Sequence, residues 1–138
     1  MQNIVPWRQW IVALGIGLQA ACKSDGPVPV VTPEVLPAIV RANNFLEAAA
    51  EADSGRMRRQ LADPDVLLEV EFVDRQHRGV FSSAANQRHV YLLNVRSDTA
   101  WVGYRVRRLF RSVDLQFVLL RQGERWLIWH VGLPQRDD

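Results

Sequence analysis

The sequence predicts an α+β domain, with amino-terminal helices packed on one face of a curved antiparallel sheet, and three observations carry that prediction. The chain has 138 residues, 48% of them hydrophobic and 23% charged, with a single cysteine, which suits one small core and excludes disorder, collagen and a disulfide scaffold. Apolar residues recur at steps of three and four between residues 33 and 53. From residue 68 onward the period becomes two, and helices followed by a run of strands is the α+β order.

The amino terminus precedes that domain and reads as an address. Residues 1–10 carry one charged side chain, Arg8, followed by Ile11-Val12-Ala13-Leu14-Gly15-Ile16-Gly17-Leu18 and then Gln19-Ala20-Ala21-Cys22. A basic start, a short apolar centre and small residues at the end are the layout of a secretory signal. As a helix the apolar run would rise only about 12 Å against a hydrocarbon slab of roughly 30 Å, and its two glycines weaken it further. A permanent membrane span is not expected from it.

Leu18-Gln19-Ala20-Ala21-Cys22 resembles the lipobox of bacterial lipoproteins, with Gln19 standing where that family normally has an apolar residue. The resemblance implies a signal peptide over 1–21, cleavage before Cys22, and acylation of the Cys22 thiol and the new amino terminus. An ordinary secretory signal cut after Ala20 or Ala21 is the alternative, and it would leave an unpaired thiol in an oxidising compartment. Each buried methylene contributes about 0.8 kcal/mol, so two or three chains anchor a protein where one would exchange. Lys23 follows the cysteine where an aspartate would resemble an inner-membrane retention signal. The outer membrane, facing the periplasm, is therefore the expected location, with the periplasmic face of the inner membrane as the alternative.

Residues 22–32 contain Pro27, Pro29 and Gly26, which oppose regular pairing and favour an extended spacer of about 3.1 Å per residue between lipid and domain. Thr32 is placed as an N-cap with Pro33 in the first helical turn. Val35, Ile39, Ala42, Phe45, Leu46 and Ala49 then form the apolar stripe of a long helix ending near Asp53. Ser54-Gly55 is read as a break, residues 56–62 as a short helix with Met57 and Leu61 on one side, and Asp63-Pro64-Asp65 as its stop. Leu68, Val70 and Phe72 alternate with Glu69, Glu71 and Val73, which predicts a strand. Asp74-Arg75-Gln76-His77-Arg78-Gly79 reads as a solvated loop.

Strands follow at residues 90–95, 100–110, 114–120 and 126–131. Arg96-Ser97-Asp98-Thr99 and Gln122-Gly123-Glu124 look like hairpin turns. At Arg111-Ser112 no glycine or proline marks a turn, and one long bent strand with a bulge fits as well. The single α+β domain is thus bounded at residues 33–134, and 135–138 form a polar tail.

The run Phe45-Leu46-Glu47-Ala48-Ala49-Ala50-Glu51-Ala52-Asp53-Ser54-Gly55 into Leu61-Ala62-Asp63-Pro64-Asp65-Val66, with the closing segment Phe117-Val118-Leu119-Leu120-Arg121-Gln122-Gly123-Glu124-Arg125-Trp126-Leu127-Ile128, resembles the nuclear transport factor two-like, or cystatin-like, family. The resemblance covers about a hundred residues and implies a cone-like domain. It fixes no activity, because this fold serves enzymes, ligand carriers and secretion-machine subunits alike.

The chemistry legible in the residues is sparse. Lys+Arg 17 against Asp+Glu 15 gives a net charge of +2, too mild for a nucleic-acid binder. His77, His89 and His130 show no paired helical spacing, and the Asp63/Asp65 start of a calcium-like loop is interrupted by Leu67, so neither metal nor other cofactor is expected. Ser82 and Ser83 lack the Gly-x-Ser-x-Gly elbow. An enzyme-like cone pocket would draw on Asp74, His77, Tyr104 and His130, although His130 shares strand parity with Trp126 and Ile128, where a histidine is usually a core or rim residue.

Trp126 and Trp129 have opposite parity, so one packs inside and the other reaches a rim or interface. Arg105, Arg107 and Arg111 share one parity. They either pair across strands with Glu69 and Glu71 or present bidentate donors to headgroups, an acidic partner or cell-wall carboxylates. The expected function is a non-catalytic lipoprotein that binds an envelope protein through Arg105, Arg107, Arg111 and Trp129, as an accessory subunit of a secretion or conjugation machine. A small-ligand carrier or pocket enzyme, and an immunity or inhibitor lipoprotein, are the alternatives.

Overall fold

The computed structural model of the chain describes residues 29–134; the expected signal peptide, Cys22, most of the expected tether and the expected polar tail lie outside the described residues. Among the described residues four helices, α1 (Leu36–Ala50), α2 (Ser54–Arg59), α3 (Val66–Gln76) and α4 (Val80–Ala84), precede four strands, β1 (Arg88–Arg96), β2 (Thr99–Arg107), β3 (Ser112–Gln122) and β4 (Arg125–Gly132). The strands form one antiparallel sheet in the order β1-β2-β3-β4, the meander that short connections favour. The architecture is α+β.

Alternation decides which face of the sheet is dry. Val102, Tyr104 and Val106 of β2, Val113, Leu115, Phe117 and Leu119 of β3, and Trp126 and Ile128 of β4 are all buried. Against them α1 lays Ala38, Ile39, Ala42, Phe45 and Leu46. The Phe45 ring meets Phe81 of α4 edge-on at 6.1 Å and Phe117 at 5.9 Å, the T-shaped arrangement aromatic quadrupoles prefer.

The hairpin turns stand where the turn residues put them. Ser97 (φ 57) and Gly123 (φ 69) take left-handed backbone at the first position of two-residue loops, where the pairings Arg96↔Thr99 and Gln122↔Arg125 close them. The ambiguous Arg111-Ser112 region resolves into a loop over residues 108–111, and the bulges fall elsewhere. One doubles Tyr91 between Val90 and Leu92; the other doubles Trp129 opposite the Val118/Leu119 step.

Several sequence expectations are corrected. The long helix starts at Leu36 rather than Pro33, because the Thr32 carbonyl accepts from Val35 and Leu36 in a preceding turn and no side chain caps it. It ends at Ala50, where Ala52 (φ 56) turns the chain. Ser54-Gly55 opens α2 instead of breaking a helix, since the Asp53 carboxylate caps the Arg56 N–H at 3.1 Å.

The strand expected at Leu68, Val70 and Phe72 is helix α3, and Asp74-Arg75-Gln76 continues it. Val66, Val70 and Val73 sit at helical spacing and are buried, whereas Leu68 and Phe72 are 63% and 53% exposed. A short apolar run satisfies both periods, and docking of α3 against β4 selects the helical one. Residues 80–84, read only as a failed catalytic elbow, form α4, which starts at the left-handed Gly79.

Candidate functional site

The side chains expected to line a pocket do not converge, His77 Nδ1 lying 3.3 Å from Arg111 Nη2. Tyr104 is 1% exposed and its hydroxyl donates to Asn43 Oδ1 at 2.7 Å, while the Arg88 guanidinium lies 5.6 Å above its ring. Burial pushes the Tyr104 phenol far above its ordinary range, so it is a neutral structural donor. Asp74 accepts the Gly79 N–H at 3.2 Å and closes the end of α3. His130 is half-exposed with Nδ1 2.9 Å from Glu69 Oε2. Its shared parity with Ile128 is broken by the bulge at Trp129, so Val131 enters the core and His130 faces out.

The arginines also separate. Arg105 and Asp114 are register partners and form a two-pronged ion pair at 2.8 and 3.1 Å, so the expected pairing with Glu69 or Glu71 is replaced. The Arg105 guanidinium stands 5.0 Å over Tyr91, whose hydroxyl accepts from Gln116 at 3.1 Å. Arg107 ends β2, its backbone N–H donating to Gln87 O, and Arg111 lies beyond the strand with Nη2 3.3 Å from His77 Nδ1. Trp129 belongs to a different region, on β4 at 50% exposure, whereas Trp126 is 5% exposed in the core.

The free edge of β4 is guarded. Gln60 O accepts from Ile128 N and Ile128 O accepts from Ala62 N, a single parallel bridge at Leu61. Arg41 Nε donates to Trp126 O at 2.8 Å and Nη1 to Gln60 Oε1 at 2.6 Å. Glu69 Oε1 takes the Val131 N–H at 3.0 Å. These contacts satisfy edge groups that would otherwise recruit another strand.

Two open clefts flank the Glu69–His130 pair, each of about 400 Å³. One lies between Leu68 and Phe72 of α3 and Leu133 after β4. The other runs from Val118 and Trp129 to Asp63 and Asp65 at the start of α3. Together they offer apolar seats beside three carboxylates. That arrangement can hold apolar side chains and a neighbouring cation. Among the described residues no three His, Cys, Asp or Glu side chains gather around a metal-sized space, and no helix is long and apolar enough to cross a membrane.

Sequence reasoning selected Trp129 and His130 from this site but missed Leu68 and Phe72, which it assigned to a buried strand face. Their spacing of four is a helical signal once Val66, Val70 and Val73 are read as the opposing stripe. Comparison with protein-family models and with curated proteins found no match.

Proposed function

We propose that the chain is a non-catalytic, periplasm-facing lipoprotein, held in the outer membrane by acyl groups on Cys22, that binds a protein partner as an accessory subunit of an envelope assembly. The observation that carries the docking half is the pair of clefts flanking Glu69 and His130, one of them lined by Trp129. Leu68, Phe72 and Trp129 are large apolar side chains at least half exposed, set beside Asp63, Asp65 and Glu69. Exposed aromatic anchors next to charge of one sign fit a partner segment bearing apolar residues and lysine or arginine. A pocket enzyme or carrier is less well supported, because Phe45, Phe81, Phe117 and Trp126 fill the space between helices and sheet.

A photo-crosslinking residue placed at 129 in cells is expected to trap one discrete envelope protein, and at Glu124 in the β3–β4 turn to trap none. No adduct at 129 would remove the docking reading. Lipidation is tested separately: Cys22→Ser should abolish incorporation of labelled palmitate and release the protein from the membrane fraction, and unchanged fractionation would remove the anchor.

A further inference from the structure

The loop between β2 and β3, Arg108-Leu109-Phe110-Arg111, places its two apolar residues in solvent. Leu109 is 88% and Phe110 92% exposed, more than any other exposed large apolar side chain among the described residues. The loop is closed by Arg108 N–H donating to Arg111 O at 2.9 Å, and its base is held by Arg107 N–H donating to Gln87 O at 2.8 Å. A hydrogen-bonded hairpin end thus presents both residues.

The surroundings of that tip are basic. Arg107, Arg108 and Arg111 belong to the hairpin end, Arg78 follows α3 beside it, and Arg75 stands in the last turn of α3. The two segments are tied together, Arg108 Nη2 donating to Arg78 O at 2.6 Å and Arg111 Nη2 lying 3.3 Å from His77 Nδ1. The nearby carboxylate of Asp74 is turned to the Gly79 N–H.

We propose that this hairpin end is a contact site for an anionic phospholipid bilayer, with Leu109 and Phe110 entering the interface and the arginine collar meeting headgroup phosphates. A projecting apolar pair needs no complementary pocket in a fluid interface, whereas a folded partner would have to supply one. Arginine forks match phosphate oxygens, and each basic residue near an anionic surface strengthens binding about fivefold. This contact is independent of lipidation and of the Trp129 clefts, and it would orient the domain on the membrane.

The test uses the full chain carrying Cys22→Ser, so that acylation contributes nothing. On phosphatidylcholine vesicles containing about a third phosphatidylglycerol, Leu109→Ser/Phe110→Ser should weaken partitioning about tenfold. Arg107→Gln/Arg111→Gln should weaken it about twentyfold, an effect that shrinks on pure phosphatidylcholine and in high salt. An environment-sensitive dye at Phe110→Cys should shift to the blue and be quenched by nitroxide lipid, while the same dye at Glu124→Cys, on the opposite hairpin end, should not. Equal quenching at 110 and 124, or partitioning indifferent to Leu109→Ser/Phe110→Ser, would overturn the proposal. So would heparin binding as tight as vesicle binding and unaffected by those two substitutions, which would indicate an acidic macromolecule.

Discussion

Replacing Gly103 with alanine ought to stabilise a strand interior, because glycine there costs about 0.5–1 kcal/mol relative to alanine. The structure reverses that sign. A Cβ at Gly103 would lie 2.8 Å from Tyr91 Cζ and 2.9 Å from Leu92 Cβ. The bulge at Tyr91 folds the ring across the glycine, where Gln116 and the Arg105 guanidinium hold it. The Leu92 contact is close to the backbone and cannot rotate away. Overpacking of this kind costs about 1–3 kcal/mol. Expelling the ring also forfeits the Gln116 hydrogen bond, about 0.5–1.5 kcal/mol. After the strand gain is deducted, Gly103→Ala should lose about 2 kcal/mol, a fall of roughly 10 °C in Tm. Urea denaturation should show a lower midpoint at unchanged slope. Tyr91→Ala should relieve the ring's part of the clash and leave the Leu92 contact, making the double variant more stable than the sum of the singles by about 1 kcal/mol. A Gly103→Ala protein as stable as the parent, or strict additivity with Tyr91→Ala, would refute the close-approach argument.

Three further outcomes follow from the core and the guarded edge. Tyr104 keeps its proton in the folded state above its ordinary value of 10.0, so its contribution is complete below that pH and is lost as pH rises toward the folded value. Tyr104→Phe should therefore reduce the alkaline loss of stability by about 1.4 kcal/mol per pH unit above about pH 10, read by denaturant midpoints across pH, while costing about 1 kcal/mol at neutral pH for the Asn43 bond. Gln60→Ala removes the acceptor for Arg41 Nη1 and the donor to Arg56 O, and should cost about 2–3 kcal/mol in urea unfolding; a loss below that range would mean that water replaces the network. Phe45→Ala deletes the ring wedged between Phe81 and Phe117 and should cost about 3–5 kcal/mol, with ANS binding unchanged only if the cavity collapses.

How much of the candidate site was legible in the sequence depended on whether one residue or many had to be placed. Opposite parity at Trp126 and Trp129 foresaw one inward and one outward ring. The partner of Arg105 was not legible, because Asp114 becomes its neighbour only through the β2–β3 register. Leu109 and Phe110 looked like strand residues, since nothing in Arg108-Leu109-Phe110-Arg111 resembles a turn. Their exposure follows from where the pairing stops, at Arg107↔Ser112.

The α+β order, the α1 stripe and the two tight hairpins were legible from the residues alone, because these rest on interactions within a few residues: helical spacing, alternation and turn residues with left-handed backbone. Packing against β4 made a helix of Val66, Val70 and Val73 where Leu68, Val70 and Phe72 could have made a strand. The β3–β4 register likewise placed the bulge at Trp129 that turns His130 outward. Both outcomes are set by what β4 and its neighbours leave to be covered, and burial against a distant element contributes more than the local preference of a run that fits either period.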